Sequence, residues 1–144
     1  MCFRGISVVT GFGLAVAIGD WTRFTGSTIG SYLGLTPSEH SSAQSRPQGP
    51  ITKAGNTYAR RLLIDAAWSH ARPYSRPGVR LLRQFEKVDT PTRTRAIEEN
   101  QRLCRVWANF DARGKRRVKA ASAVARELAG WCLVRGRATA AISG

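Results

Sequence analysis

Apolar residues recur at helical spacing along much of this chain, and that periodicity constrains the fold more than any other feature. Ala59, Leu63 and Ala67 stand four residues apart, so a helix would place them on one face. Val124 and Leu128 repeat the spacing towards the end of the chain. Alternation of apolar and polar residues, which is typical of strands, is almost absent. The sequence therefore predicts an all-α fold, a small helical domain.

Local signals place the helices and their ends. Ser27 is predicted to cap a short second helix and Gly34 to end it. Thr90 and Pro91 form a typical helix start. The apolar residues of the first helix are nearly continuous, which predicts that it is buried. The predicted helices cover residues 8–18, 28–33, 56–70, 79–87 and 90–107, and a last helix follows the basic run 113–119.

A long polar segment, residues 36–55, interrupts the helical pattern. It contains three prolines and shows neither a helix nor a strand period, which predicts a loop. A loop this long inside a compact chain is usually functional or disordered. Two further prolines, Pro73 and Pro77, mark a linker. The sequence therefore divides into a core over 1–72 and a basic helical extension over 73–144.

The charge is strongly positive and unevenly distributed. The chain has 23 Lys plus Arg against 9 Asp plus Glu, a net charge of +14. Residues 1–41 are balanced, with two basic and two acidic groups, so the whole excess lies in residues 42–144. Arginine, which supplies 19 of the 23 cations, binds phosphate bidentately. A polyanionic partner, nucleic acid above all, is the expected reading, and a merely arginine-rich surface is the alternative.

Several other classes of protein are disfavoured. Three cysteines at unrelated spacings exclude a disulfide framework and a CxxC site. His40 and His70 have no neighbouring cysteine, so we expect no zinc site. The acidic residues are scattered, which argues against a self-contained metal nuclease and favours ion-pair partners on helix surfaces. The apolar run 6–18 is too short to span a bilayer, although a secreted or membrane-surface basic protein stays open as a third class.

The polar loop combines serines with cations. Ser41 and Ser42 are followed by Arg46 and Lys53, and a predicted helix N-terminus comes next. A serine oxygen that attacks a DNA phosphate would form a covalent phosphoester, and arginines would stabilise the developing charge. From residue types alone, an ordinary serine-rich loop is the favoured interpretation.

An ordered series of motifs over roughly residues 3–70 resembles the C-terminal domain of the transposases of insertion sequences 110, 116 and 902. The tail segments 109–113 and 124–131 look like one subgroup of that family. The motifs that carry the resemblance are Arg4-Gly5-Ile6, Ile18-Gly19-Asp20, Arg23-Phe24, Gly34-Leu35-Thr36-Pro37, Ser41-Ser42, residues 49–56 from Gly49 to Asn56, and residues 60–68 from Arg60 to Trp68.

The resemblance implies a DNA transposase or site-specific recombinase, similar to pilin-gene invertases, with a helix-hairpin-helix-like start. Full-length members add an acidic, resolvase-like N-terminal domain that binds magnesium, and some are guided by an RNA. The family's nucleophilic serine falls on Ser42, five residues after Pro37, with Ser41 as the second choice. The family often has glycine after this serine, whereas Ala43 stands here.

The acidic domain is missing from this chain, so the resemblance describes a truncated transposase that binds nucleic acid without strand transfer. No cofactor is expected in the chain itself, and magnesium is expected to bind only when the acidic domain is present. The expected partner is DNA, and a guide RNA and other transposase chains are further possible partners. The expected location is the cytoplasm, in association with the nucleoid and not at a membrane. The alternative is a non-enzymatic basic DNA- or RNA-binding module. The predicted nucleic-acid contacts, chosen by their chemistry, are Arg46, Lys53, Arg60, Arg61, Arg113, Lys115, Arg116, Arg117 and Lys119.

Overall fold

The computed structural model describes residues 2–39, 48–51, 53 and 55–143. Within them the predicted all-α fold is confirmed. Two 3₁₀ turns, Trp21–Arg23 and Trp68–Ala71, complete the helical elements. The helices are α1 (Val8–Ile18), α2 (Gly26–Tyr32), α3 (Thr57–Ala67), α4 (Val79–Phe85), α5 (Thr90–Ala112) and α6 (Arg117–Ser143).

A short two-stranded ribbon is the one departure from helix in the described chain. Strand β1 (Pro37–Glu39) pairs antiparallel with β2 (Gln48–Ile51), so that Pro37 lies opposite Ile51. The prediction of a loop without strands over 36–55 was therefore wrong at its two ends. Strands of three and four residues are too short to carry an alternating pattern, so they could not be predicted from the residues alone. The ribbon brings the two ends of the polar loop together.

The helix ends follow ordinary capping chemistry. Thr25 caps α2 and shares a capping box with Thr28, so the predicted cap at Ser27 was wrong by two residues. Gly34, with φ +65°, ends α2 as predicted. Asn56 caps α3, its side-chain oxygen accepting the N–H of Ala59 at 2.9 Å. Each cap satisfies backbone groups that the helix itself cannot.

One core joins five of the six described helices. The predicted face of α3 is buried, with Ala59, Leu63 and Ala67 all 0% exposed. The predicted stripe on α6 faces it, since Val124 and Leu128 are also 0% exposed. The main cluster takes residues from α1, α2, α3, α5 and α6, and a smaller one forms around α4. Both predicted segments contribute to this core, and the division at residue 72 stays a prediction.

Helix α1 is buried on one side only, so the prediction of a buried helix was wrong. Leu14 and Ile18 face the core, whereas Val8, Val9 and Phe12 are 81%, 79% and 71% exposed. Gly13 sets the packing of this helix, because a β-carbon there would lie 2.9 Å from the Leu62 side chain. Contact with α3 through this one glycine-containing face leaves the opposite apolar face uncovered.

The last two helices are longer than the sequence predicted. Helix α5 continues past Trp107 to Ala112, and α6 begins inside the basic run. Arg102 on α5 pairs with Glu127 on α6 and lies 3.5 Å from Glu99, which ties the two helices together. No helix among the described residues is long and apolar enough to cross a bilayer.

Candidate nucleic-acid interface

The chain turns at the end of α2 into the strand pair that carries the polar loop. The N–H of Gly34 bonds the Ser31 carbonyl, and the N–H of Leu35 bonds that of Gly30, both at 3.0 Å. These bonds satisfy the last carbonyls of α2 while glycine provides the left-handed turn. Thr36 then leads directly into β1. Residues 30–36, which we call the loop base, are therefore held in place by backbone hydrogen bonds.

Backbone bonds from Lys53 and Asn56 fasten the second end of the loop to the same place. The N–H of Lys53 bonds the Gly34 carbonyl at 3.1 Å, and the N–H of Asn56 bonds that of Tyr32 at 3.0 Å. The Asn56 amide also donates to the Ala17 carbonyl at 3.1 Å, which reaches α1. Lys53 has φ +55° and an exposed side chain. Its ammonium group thus projects into solvent from a fixed backbone beside the loop base.

Arg60 contacts the loop base from α3. One guanidinium nitrogen donates to the Leu33 carbonyl at 3.1 Å, and the other lies 3.4 Å from the Thr57 hydroxyl. Part of this guanidinium therefore holds α3 against the end of α2. Arg61, the next residue, is exposed and lies 4.0 Å from the Asp65 carboxylate. An exposed pair at that distance contributes little to stability, which leaves Arg61 accessible.

Arg126 on α6 is a cation at the loop base that was not predicted from the sequence. Its side-chain carbons lie over Gly30, 3.5 Å and 3.7 Å from the position of a β-carbon there, and Thr36 lies 3.6 Å from the same point. Arg126 is exposed and has no hydrogen bond or ion pair to any described residue. The side chain is packed along its stem with its charge left available, an arrangement common for arginine.

The predicted basic run surrounds the start of α6. Arg113 caps the end of α5, Gly114 has φ +62°, and Arg117 opens α6, 3.6 Å from the Asp111 carboxylate. All residues from 111 to 119 are exposed. The first turn of α6 holds no acidic residue. Cations at the positive end of a helix are unfavourable unless an anion is present, so this end suits phosphate.

Lys119 connects the basic run with the loop base. It precedes Arg126 by seven residues, so the two lie on the same face of α6, about 10 Å apart along the axis. One predicted cation near the start of α6, Lys119, therefore shares a helix face with the unpredicted cation at the loop base, Arg126. A repeat of seven residues between two basic side chains is the sequence signal that could have indicated Arg126.

Three predicted site residues, Ser41, Ser42 and Arg46, lie outside the described residues. His40 lies outside them too, whereas His70 is buried at 1% exposure and burial lowers its pKa. Among the described residues no three His, Cys, Asp or Glu side chains lie close enough to share a metal ion.

Several acidic residues pair with arginines, as the sequence predicted, whereas Asp20 serves a neighbouring backbone N–H and hydroxyl instead. Asp65, Glu99 and Glu127 each pair with an arginine. The carboxylate of Asp20 accepts the hydroxyl and the N–H of Thr22, and these bonds lower its pKa. Even if all 9 acids were paired, 14 of the 23 cations would keep an uncompensated charge.

Comparisons with known proteins agree with the resemblance. "Putative transposase y4qE" of Sinorhizobium fredii is 37% identical over 135 residues, which cover 92% of this chain and 34% of that protein. "Probable family 20 transposase" of Pseudomonas aeruginosa is 37% identical over 68 residues, 46% of this chain and 20% of that protein. The chain thus spans about a third of the first relative's length. No solved structure matches. A family model described as the Transposase IS116/IS110/IS902 family matches residues 1–80, more than half of the chain, which therefore belongs to that family of transposases.

Proposed function

We propose that this chain is the nucleic-acid-binding and serine-bearing part of a DNA transposase. One observation supports the proposal most directly: cationic residues from three separate elements each contact the loop base. Lys53, Arg60 and Arg126 come from the second arm of the loop, from α3 and from α6. Stability alone does not require cationic residues from three elements beside one turn, whereas such residues can contact a phosphate backbone.

The serine loop is proposed to present its nucleophile beside these cations. The Ser42 oxygen would attack phosphorus and form a new P–O bond, while the bond to one deoxyribose oxygen breaks and that oxygen leaves as a hydroxyl. The phosphodiester energy is kept in the serine phosphoester, so a second DNA hydroxyl can reverse the step with a new strand. Arginine and lysine at the loop base would stabilise the negative charge that develops on the phosphate oxygens.

Magnesium fits no described set of residues in this chain. A magnesium site needs oxygen ligands that converge, and the described carboxylates do not. We therefore propose that metal-dependent cleavage requires an acidic domain in addition to these residues, and that this chain alone binds DNA without cleaving it. The proposed location is the nucleoid. A guide RNA, self-association and a helix-hairpin-helix role for the first two helices stay predictions.

Binding is tested by a salt titration of the purified chain with a fluorescently labelled 30-base-pair duplex. A surface that contacts six to ten phosphates should lose about 10³- to 10⁵-fold in affinity between 50 and 200 mM salt. A duplex of unrelated sequence distinguishes general from site-specific binding. An affinity that does not change with salt would contradict the nucleic-acid assignment.

The serine is tested by trapping. The chain is incubated with magnesium and end-labelled duplex, alone and with an added acidic domain from a full-length relative, and covalent protein–DNA adducts are separated under denaturing conditions. We expect no adduct from the chain alone, and an adduct in the mixture that Ser42→Ala abolishes and Ser41→Ala keeps. Cleavage by the chain alone would show that the acidic domain is dispensable.

A non-enzymatic binding module is the second candidate. The exposed basic run at the start of α6 favours it, because those cations need no serine loop in order to contact phosphate. In that case the mixture yields no adduct, while the steep salt dependence stays. Ser42→Ala would then change neither affinity nor any other property of the complex.

A further inference from the structure

A second basic groove lies away from the loop base, between the start of the chain and α4. Its volume is about 510 Å³, and it is lined by residues 3–9 together with Arg80, Leu81, Arg83, Gln84 and Lys87. Phe3, Ile6 and Leu81 are buried at 6%, 3% and 8% exposure. Gly5, on one wall, packs against the Ala66 backbone near the end of α3. The groove and the loop base therefore sit at opposite ends of α3, about 16 Å apart along its axis.

Three cations from α4 and the turn after it face this groove. Arg80, Arg83 and Lys87 are spaced by three and four residues, so they share one side of the helix. All three are exposed, and none has an ion pair or side-chain hydrogen bond with a described residue. No acidic residue lines the groove. Three unpaired like charges on one short helix face are costly without an anion between them.

The opposite wall is the first turn of α1, and it is positive as well. Ser7 caps the helix, and the turn contains no acidic residue. The exposed N–H groups of a first turn carry a partial positive charge. Val8 and Val9 stand beside them, 81% and 79% exposed. The wall therefore offers amide donors and apolar contact area together, which match the phosphates and the sugars of a nucleic-acid strand.

We propose that this groove binds the phosphodiester backbone of one nucleic-acid strand, as a second contact surface of the same protein. The inference rests on the proposed function. Along α4 and the turn after it, positions 80 to 87 span roughly 10 Å, and one strand of a duplex places a phosphate about every 3.4 Å along its axis. The three cations thus match about three consecutive phosphates. Nucleic acid bound there and at the loop base would run along α3.

The test compares two triple variants that remove the same charge. The groove variant is R80Q/R83Q/K87Q, and the control R76Q/R95Q/R105Q removes three exposed arginines from the linker and α5. Binding to a 30-base-pair duplex is measured against salt, and circular dichroism checks folding. We expect the slope of log affinity against log salt to fall by about 2.7 in the groove variant, and by less than about one in the control. Equal changes in both variants would overturn the groove.

A single substitution tests the groove independently, in case the triple variant does not fold. Val9→Asp places an acid in the first turn of α1, where it stabilises the helix yet repels phosphate. We expect binding weakened about tenfold with no loss of melting temperature, while Val16→Asp, exposed at the far end of α1, changes affinity less than about threefold. Equal affinities for these two variants would contradict the groove. A wild-type chain without salt-dependent binding would instead remove the proposed function itself.

Discussion

The backbone of Gly55 lies against the carbonyl oxygen of Tyr32, so closely that a β-carbon at position 55 would overlap that oxygen. The same oxygen accepts the N–H of Asn56 at 3.0 Å. Gly55 has φ +81°, a backbone conformation that other residues rarely adopt. The glycine thus allows the chain to leave the polar loop, dock on the end of α2 and enter α3 within a few residues.

Gly55→Ala should therefore destabilise the protein strongly. The positive φ costs about 1–2 kcal/mol for alanine, and the overlap with backbone forces a further shift, so we expect a loss of at least about 3 kcal/mol in the free energy of unfolding. Urea denaturation measures it. Gly114→Ala is the control, because Gly114 has φ +62° but nothing within 4 Å of a β-carbon, and only the first cost applies. Equal losses in the two variants would show that the contact with Tyr32 does not contribute to the destabilisation.

Two glycines of α6 should respond to alanine in opposite directions. A β-carbon at Gly136 would lie 2.6 Å from the Trp21 ring, whereas Gly130 has nothing within 4 Å. Alanine favours helix over glycine by about 1 kcal/mol, so Gly130→Ala should raise the melting temperature. Gly136→Ala should lower it, since the indole must move and overpacking costs about 1–3 kcal/mol. Thermal unfolding of both variants decides, and a shift of the same sign in both would contradict the contact.

The helices that pack through one apolar stripe could be predicted from sequence, and α1 shows why others could not. Residues 59, 63 and 67 stand at a spacing that only a helix brings together, and they are buried. In α1 nearly every residue is apolar, so the sequence does not indicate which side meets the core. The close approach at Gly13 decides it, and that contact involves Leu62, far along the chain.

Residues of the candidate site could be predicted only where they lie close to one another in the sequence. Lys53 and Arg61, predicted from their chemistry as phosphate contacts, are exposed, and their contact with phosphate stays a prediction. Arg126 was missed because its contact with Gly30 joins positions almost a hundred residues apart. Arg60 has a bond to the Leu33 carbonyl that its residue type did not suggest, and its contact with phosphate stays a prediction.

Asn100 fixes the first residues of the chain to α5. It is 0% exposed, its amide donates to the carbonyls of Cys2 at 2.9 Å and Ala96 at 2.7 Å, and its oxygen accepts the N–H of Arg4 at 2.9 Å. Asn100→Ala leaves buried groups unsatisfied, so we expect a loss of about 3 kcal/mol in the free energy of unfolding. The exposed Asn109→Ala on the same helix should change it by less than about 0.5 kcal/mol. Urea denaturation of the two variants makes the comparison.

Cys132 should make stability fall at alkaline pH. Burial raises the pKa of its thiol to about 12. In the unfolded chain the thiol ionises near pH 8.5–9, so above that pH the folded state holds a proton that the unfolded state has lost, and stability decreases as pH rises.

We therefore expect the stability difference between the natural chain and Cys132→Ala to shift by about 1–2 kcal/mol against the natural chain between pH 7 and pH 10. Using the difference removes the contribution of the other titrating groups. Urea denaturation at the two pH values measures it, and a constant difference would mean that the Cys132 thiol ionises freely in the folded protein.

Arg126 should contribute to binding rather than to folding. Its guanidinium has no described partner, so Arg126→Gln should change the melting temperature little. If the charge contacts one phosphate, the slope of log affinity against log salt should fall by about 0.9 and affinity should drop several-fold. Arg126→Lys keeps the charge without the bidentate geometry, and we expect an intermediate affinity. Arg105→Gln, which removes an exposed arginine from α5, is the matched control. An equal effect of Arg126→Gln and Arg105→Gln would mean that Arg126 acts only through net charge, and the loop base would then bind through Lys53 and Arg60 without it.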